Sequence, residues 1–124
     1  MHFLDSSAWM AYFFGEPGGK QIAAIIDSNE PILLSVTNLA EIYSQFLMKS
    51  TTDSDEKRMF LMTRCQLAEV TGEIAMEAAR IKAKHRLALA DALLLATGRV
   101  HSCSLQTFDP DFQGLKGARL LVRR

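Results

Sequence analysis

The sequence predicts an α/β fold built around a parallel sheet. Three observations carry that expectation. Short apolar runs alternate with amphipathic stretches along the whole chain, as they do where helices join the strands of a parallel sheet. Leu39, Ile42, Tyr43, Phe46 and Leu47 recur at i, i+3, i+4, i+7 and i+8, the period of a helix with one apolar face. Acidic residues stand where the chain turns: Asp5 closes Phe3-Leu4, Glu41 comes after Ile32-Leu33-Leu34, Asp91 opens the helical stretch Ala90 to Thr97, and Asp109 comes after the run Ser102 to Phe108.

The elements can be justified in order. His2 to Leu4 reads as a first strand. A helix runs from about Ser7 to Phe14, with Ser6 or Ser7 to cap it, Gly15 to end it and Pro17 just beyond. Ile22, Ile25 and Ile26 mark one face of a second helix. Asn29-Glu30-Pro31 makes a turn, and Ile32 to Ser35 is the second strand. The Leu39–Leu47 helix comes next, then a polar loop, Ser50-Thr51-Thr52-Asp53-Ser54, then a helix through Met59 and Met62. Leu67 to Val70 is a short strand. Ile74, Ala78 and Ile81 face one way on the next helix, and another helix starts near Ala90. Strands at Ser102 to Gln106 and near Leu120 to Val122 complete about five strands and six helices.

Composition narrows the class. With 124 residues, the expectation is one domain over 1–124. A chain of this size buries roughly two thirds of its unfolded surface, enough for a sizeable core. It is 48% hydrophobic and 23% charged, with a formal net charge of zero, so any nucleic-acid binding rests on local patches. Such patches occur at Lys82, Lys84, His85 and Arg86, and at Arg119, Arg123 and Arg124. Cys65 and Cys103 have no CxxC spacing and read as buried free thiols of a reducing cytoplasm. No basic residue precedes the apolar run Ala8 to Phe14 and no small-residue cleavage site comes after it, which argues against a signal peptide. The run is also far too short to span a membrane. His2, His85 and His101 fit no metal or nucleophile spacing and read as structural or solvated. Trp9, Tyr12, Phe13 and Phe14 read as core or dimer-face residues rather than base-stacking platforms.

Each acid has a plain structural reading. Asp5 suits a helix cap. Asn38-x-x-Glu41 has the form of a capping box, which would satisfy Glu41, and Glu41 lies off the Leu39/Phe46 stripe, as a solvated side chain does. Asp91 in a first helical turn complements the macrodipole. Asp109-Pro110-Asp111 makes a turn. Together they say more. If the runs before Asp5, Glu41 and Asp109 are parallel strands, three acids gather at one edge of a sheet and Asp91 joins them from a helix start. That edge is where open α/β sheets bind ligands. Clustered carboxylates repel unless a positive charge holds them, and hard divalent cations take all-oxygen sites.

Leu4-Asp5-Ser6-Ser7-Ala8, Asn38-Leu39-Ala40-Glu41, Leu89-Ala90-Asp91-Ala92-Leu93 and Thr107-Phe108-Asp109-Pro110-Asp111-Phe112 occur in an order that spans the chain. In this the chain resembles the PIN-domain ribonucleases, and most closely the VapC toxins of prokaryotic toxin–antitoxin pairs. The resemblance implies a three-layer fold with the sheet ordered 3-2-1-4-5 and helices on both faces. It implies four acids, Asp5, Glu41, Asp91 and Asp109, around Mg²⁺ or Mn²⁺, and hydrolysis of single-stranded or loop RNA in the cytoplasm. It also implies a homodimer and a protein antitoxin that blocks the site. Arg86 stands where the family often has Gly before the Asp91 helix; it reads as a contact to RNA phosphate or as a solvated helix-end residue.

The chemistry expected of such a set is direct. Mg²⁺ held by Asp5 and Asp91 would polarise a phosphoryl oxygen and lower the pKa of an attacking water. Glu41 and Asp109 would complete the shell or orient water and a second ion roughly 4 Å away. Attack by water leaves a 5′-phosphate and a 3′-hydroxyl. Ser7 and Thr107 are candidate supporting hydroxyls, and Asp111 a candidate outer ligand. Three other readings compete. A phosphoacceptor receiver domain needs an Asp closing the third strand, where Val70 is succeeded by Thr71-Gly72. A catalytically silent interaction module would have lost acids that are all present. An RNA-processing nuclease outside a toxin system shares the chemistry.

Overall fold

In a computed structural model of the protein, residues 1–49 and 52–124 are described. Ser50 and Thr51 of the expected polar loop lie outside them. In chain order the elements are β1 (His2–Leu4), α1 (Ser6–Phe14), α2 (Gly19–Ile26), β2 (Ile32–Ser35), α3 (Val36–Lys49), α4 (Ser54–Arg64), β3 (Gln66–Ala68), α5 (Gly72–Lys84), α6 (Leu89–Val100), β4 (Leu105–Thr107), a 3₁₀ turn (Pro110–Phe112) and β5 (Ala118–Leu120). The strands form one sheet ordered β3-β2-β1-β4-β5, and every neighbouring pair is parallel. The fold class and strand order match the expectation.

Alternation along the strands sorts the core into two layers, because successive residues of a strand point to opposite faces. Phe3, Leu33 and Leu105 pack with Ile74, Ala78, Ile81, Leu94 and Leu95 from α5 and α6. Leu4, Ile32 and Leu34 pack with Trp9, Ile22, Ile42, Phe46 and Leu61 from α1 to α4. The helical period of α3 predicts its buried stripe in part. Ile42 and Phe46 are fully buried, but the third member of the row is Asn38, and Leu47 is exposed. Trp9 is buried, while Tyr12, Phe13 and Phe14 are half-buried in an aromatic cluster with Phe46 and Phe60.

Three strands sit elsewhere than the sequence predicts. The run expected to pair from Ser102 pairs only over Leu105–Thr107, because residues 101–103 finish α6. His101 and Ser102 donate to the carbonyls of Thr97 and Arg99, Cys103 donates to Gly98, and Ser102 takes a φ of 54°. The last strand is Ala118–Leu120 rather than Leu120–Val122, since its ladder begins where Leu105 N–H donates to Gly117 O. The third strand is Gln66–Ala68, aligned with Leu33–Ser35. Both cysteines are free thiols; Cys103 is buried, and Cys65 is half-buried with burial pushing its thiol up to about 12. Among the described residues, no helix is long and apolar enough to cross a membrane.

Candidate active site

The strand order places the reversal of direction between β1 and β4, with β2 and β3 on one side and β5 on the other. Asp5 comes directly after β1, and Asp109 lies two residues past the end of β4. The two carboxylates therefore flank the point where open α/β sheets bind ligands. Glu41 sits in the second turn of α3, and Asp91 in the first turn of α6. These helices belong to opposite layers and touch across the end of the sheet. Each acid thus arrives from a different element, and the charges face one another.

Asp5 is the most enclosed, at 4% exposure. It caps α1, as its plain reading expects and in preference to Ser6 or Ser7: its Oδ1 accepts from Ala8 N–H at 3.1 Å. Ser7 donates its hydroxyl to the same oxygen at 2.6 Å, and Thr107 donates to Oδ2 at 2.5 Å. The two hydroxyls are themselves held. Ser7 Oγ accepts from Phe108 N–H, and Thr107 Oγ1 accepts from Asp109 N–H. Both hydroxyl protons are thereby aimed at Asp5, which joins β1, α1 and the end of β4 in one polar knot. A carboxylate offers about four lone-pair sites, and three are taken. One remains for a ligand. Ser7 and Thr107 thus both donate to the carboxylate of Asp5.

The electrostatics point the same way. Burial pushes the Asp5 carboxyl up, opposed by the bonds from Ser7, Thr107 and Ala8, and the charge of Asp109 raises it further. Burial also raises Glu41, with the charges of Asp91 and Asp5 adding to it. Asp91 rises through burial and through Asp109, Asp5 and Asp111. The acids repel one another, as the sequence predicts for a cluster lacking a counter-charge.

Glu41 departs from its plain reading. Ser35, not Asn38, caps the start of α3, its Oγ accepting from Asn38 N–H at 3.0 Å. The capping box is therefore not formed. Glu41 Oε1 is buried without a hydrogen-bond partner, and so are both amide atoms of Asn38, one turn earlier. Buried polar atoms are nearly always paired, and an unpaired one costs about 1–3 kcal/mol. An orphaned carboxylate oxygen among repelling carboxylates, with a free lone pair on Asp5, fits a hard cation with oxygen ligands. The fit is one of composition. Among the described residues, no three His, Cys, Asp or Glu side chains close into a ready-made ion cage.

The other predicted residues surround this core of the site or lie away from it. Asp109 caps the 3₁₀ turn by accepting from Asp111 N–H at 2.9 Å. Asp111 is exposed at the rim, near enough for its charge to raise Asp91. Arg86 is exposed in the segment before α6. The histidines are structural: His2 bridges Glu30 and Gln106, and His85 and His101 end α5 and α6. Two residues at the site escape the sequence reading. Asn38 shares a helical face with Ile42, which signals burial, but its spacing to Glu41 mimics a cap. Arg123 appears in sequence only as part of a terminal basic cluster, with nothing to tie it to the acids.

The PIN domain family model matches residues 2–118. Among solved structures, a toxin–antitoxin complex from Klebsiella pneumoniae contains a chain 22% identical to this one, with a TM-score of 0.85 and full coverage of both chains. Mycobacterium tuberculosis VapC20, described as a sarcin–ricin loop cleaving toxin, is 18% identical with a TM-score of 0.77 and full coverage of both. A chain of FitAcB from Neisseria gonorrhoeae is 18% identical with a TM-score of 0.78, covering 98% of this chain and 97% of that one. At these identities the likenesses establish the fold. No curated protein matches the sequence.

Proposed function

The chain belongs to the PIN-domain family, and from that premise we propose that it is a divalent-cation-dependent endoribonuclease, the toxin of a toxin–antitoxin pair. The observation that carries the proposal is the convergence of Asp5, Glu41, Asp91 and Asp109 at the sheet edge, with three of them raised by burial and mutual charge. Asp5, Asp91, Glu41 and Asp109 would hold Mg²⁺ or Mn²⁺. A cation so held supplies Lewis-acid polarisation of a phosphoryl oxygen and a water of lowered pKa. Ser7 and Thr107 fix the carboxylate of Asp5 and leave it one lone pair for a ligand. Asp109, locked by its backbone bond from Asp111, stands ready to orient the attacking water. The substrate class proposed is single-stranded or loop RNA, and VapC20 is described as cleaving the sarcin–ricin loop. An RNA-processing role outside a toxin system would use the same site.

The partners proposed are an antitoxin protein and a second copy of the chain, in the cytoplasm, with residues 1–124 acting as one domain. Leu47, Met48, Met59, Phe60 and Met62 are exposed on α3 and α4. Apolar side chains gathered on a surface mark protein–protein contacts. The solved neighbour from Klebsiella pneumoniae is a toxin–antitoxin complex, and that from Rickettsia felis is VapBC2 bound to a DNA fragment from its promoter. Expressing the chain alone in a bacterial host is expected to arrest growth and to leave discrete cuts in extracted RNA. Unimpaired growth with the soluble protein accumulating would contradict the toxin assignment.

A further inference from the structure

A groove of about 350 Å³ opens beside the acid edge, between α1 and α3. Ser7 and Met10 from α1, Glu41 and Gln45 from α3, and Arg123 near the end of the chain line it. That size sits at the lower end of small-ligand pockets, roughly 300–1,000 Å³, and is enough for one nucleotide unit. Arg123 lies far from this site in sequence, yet the fold fixes it here. Its guanidinium stacks 4.4 Å from the centre of the Phe108 ring, and Nη1 donates to Pro17 O at 2.6 Å. Phe108 in turn is packed against Gly18, where φ is 96° and a Cβ would meet the ring at 2.5 Å. Phe108 directly precedes Asp109, so Arg123 and the acids share one rigid support.

A guanidinium carries five N–H donors in a planar fork that matches phosphate. One of them is used by Pro17. Glu16 and Glu41 line the same groove, yet neither forms an ion pair with Arg123, and no ion pair among the described residues includes it. An immobilised cation with spare donors, beside carboxylates it does not neutralise, is poised for an anion. We propose that Arg123 binds the backbone phosphate next to the scissile one and that the groove seats the intervening nucleotide. This inference rests on the ribonuclease reading for its substrate and names a residue that positions RNA rather than reacting with it.

The test uses full-length protein with Mg²⁺ and a fluorescent single-stranded RNA oligonucleotide. Binding by anisotropy and cleavage kinetics are each measured across a salt series for wild type, Arg123→Ala, Arg123→Lys and Arg124→Ala. Arg124 carries the same charge but does not line this groove. Arg123→Ala is expected to weaken binding and raise KM about tenfold, the loss of one charge-assisted contact, with kcat little changed. The slope of log K against log salt should fall by about 0.7, one phosphate's share on a single strand. Arg123→Lys should keep the salt slope while losing affinity, which guards against a folding defect in the alanine variant. Arg124→Ala should behave as wild type. Unchanged KM and salt slope in Arg123→Ala, or equal losses in Arg124→Ala, would overturn the assignment. Wild type that binds RNA without cutting it defeats the nuclease reading alone, since the anisotropy arm still judges Arg123.

Discussion

Asp5→Asn is expected to cut RNA cleavage by about a hundred- to a thousandfold, the range for removing one group that stabilises charge in a transition state. The substitution is nearly isosteric. The Asn carbonyl can keep the bonds from Ser7 and Ala8 that reach Oδ1. Its amide can donate to Thr107, whose oxygen still has a lone pair beside the bond from Asp109 N–H. The knot between β1 and β4 therefore survives, and only the charge and the ligating oxygen are lost. Because burial disfavours the ionised form of Asp5, the variant should melt no lower than wild type in EDTA. Growth arrest should be relieved at equal soluble expression. Full activity in Asp5→Asn would remove Asp5 from the reaction, and a collapsed melting temperature would mark it as a structural cap only.

The second large effect is thermal. Mg²⁺ that binds only the folded chain should add about 2.7 kcal/mol at a hundredfold excess over its Kd, or roughly 10 °C for a domain of this size. Asp91→Asn should raise the melting temperature in EDTA and shrink that gain. Linkage sets the sign with pH. Asp5, Glu41 and Asp91 have folded pKa values above their ordinary 3.8 to 4.5, so the folded state binds more protons than the unfolded one. Their penalty is complete above the folded values and is relieved as pH falls toward the ordinary range. The excess stability of Asp91→Asn over wild type in EDTA should therefore be largest near neutral pH and narrow toward pH 4. Paired melts at several pH values read this. An Asp91→Asn protein that melts lower in EDTA and keeps the whole Mg²⁺ gain would make Asp91 a helix-start residue outside the site.

The parallel α/β class was legible because it rests on strong local signals, while the strand order came only with the family resemblance. Apolar runs mark strands, and residues just past the ends of parallel strands, as Asp5 and Asp109 are, lie at the same edge of the sheet, where Glu41 and Asp91 join them from the helices α3 and α6. The exact strand limits were not legible, since they depend on pairing: Ser102 and Cys103 look like strand residues but are claimed by the end of α6. Capping chemistry misled at α3, where Ser35 outcompetes Asn38 and leaves Glu41 and Asn38 unpaired. The knot that locks Asp5 joins residues 102 positions apart, and the seat of Arg123 joins residues 106 apart. Contacts across such separations leave no periodic trace in a sequence, so that part of the site had to be seen in the fold.

The most direct test of the metal-dependent ribonuclease reading is end-group analysis of RNA cleaved by chelator-stripped protein back-titrated with Mn²⁺ or Mg²⁺. The reading predicts no cleavage before cation is added, saturable recovery with it, and products with a 5′-phosphate and a 3′-hydroxyl. Cleavage that persists in chelator, or products ending in a 2′,3′-cyclic phosphate, would contradict it.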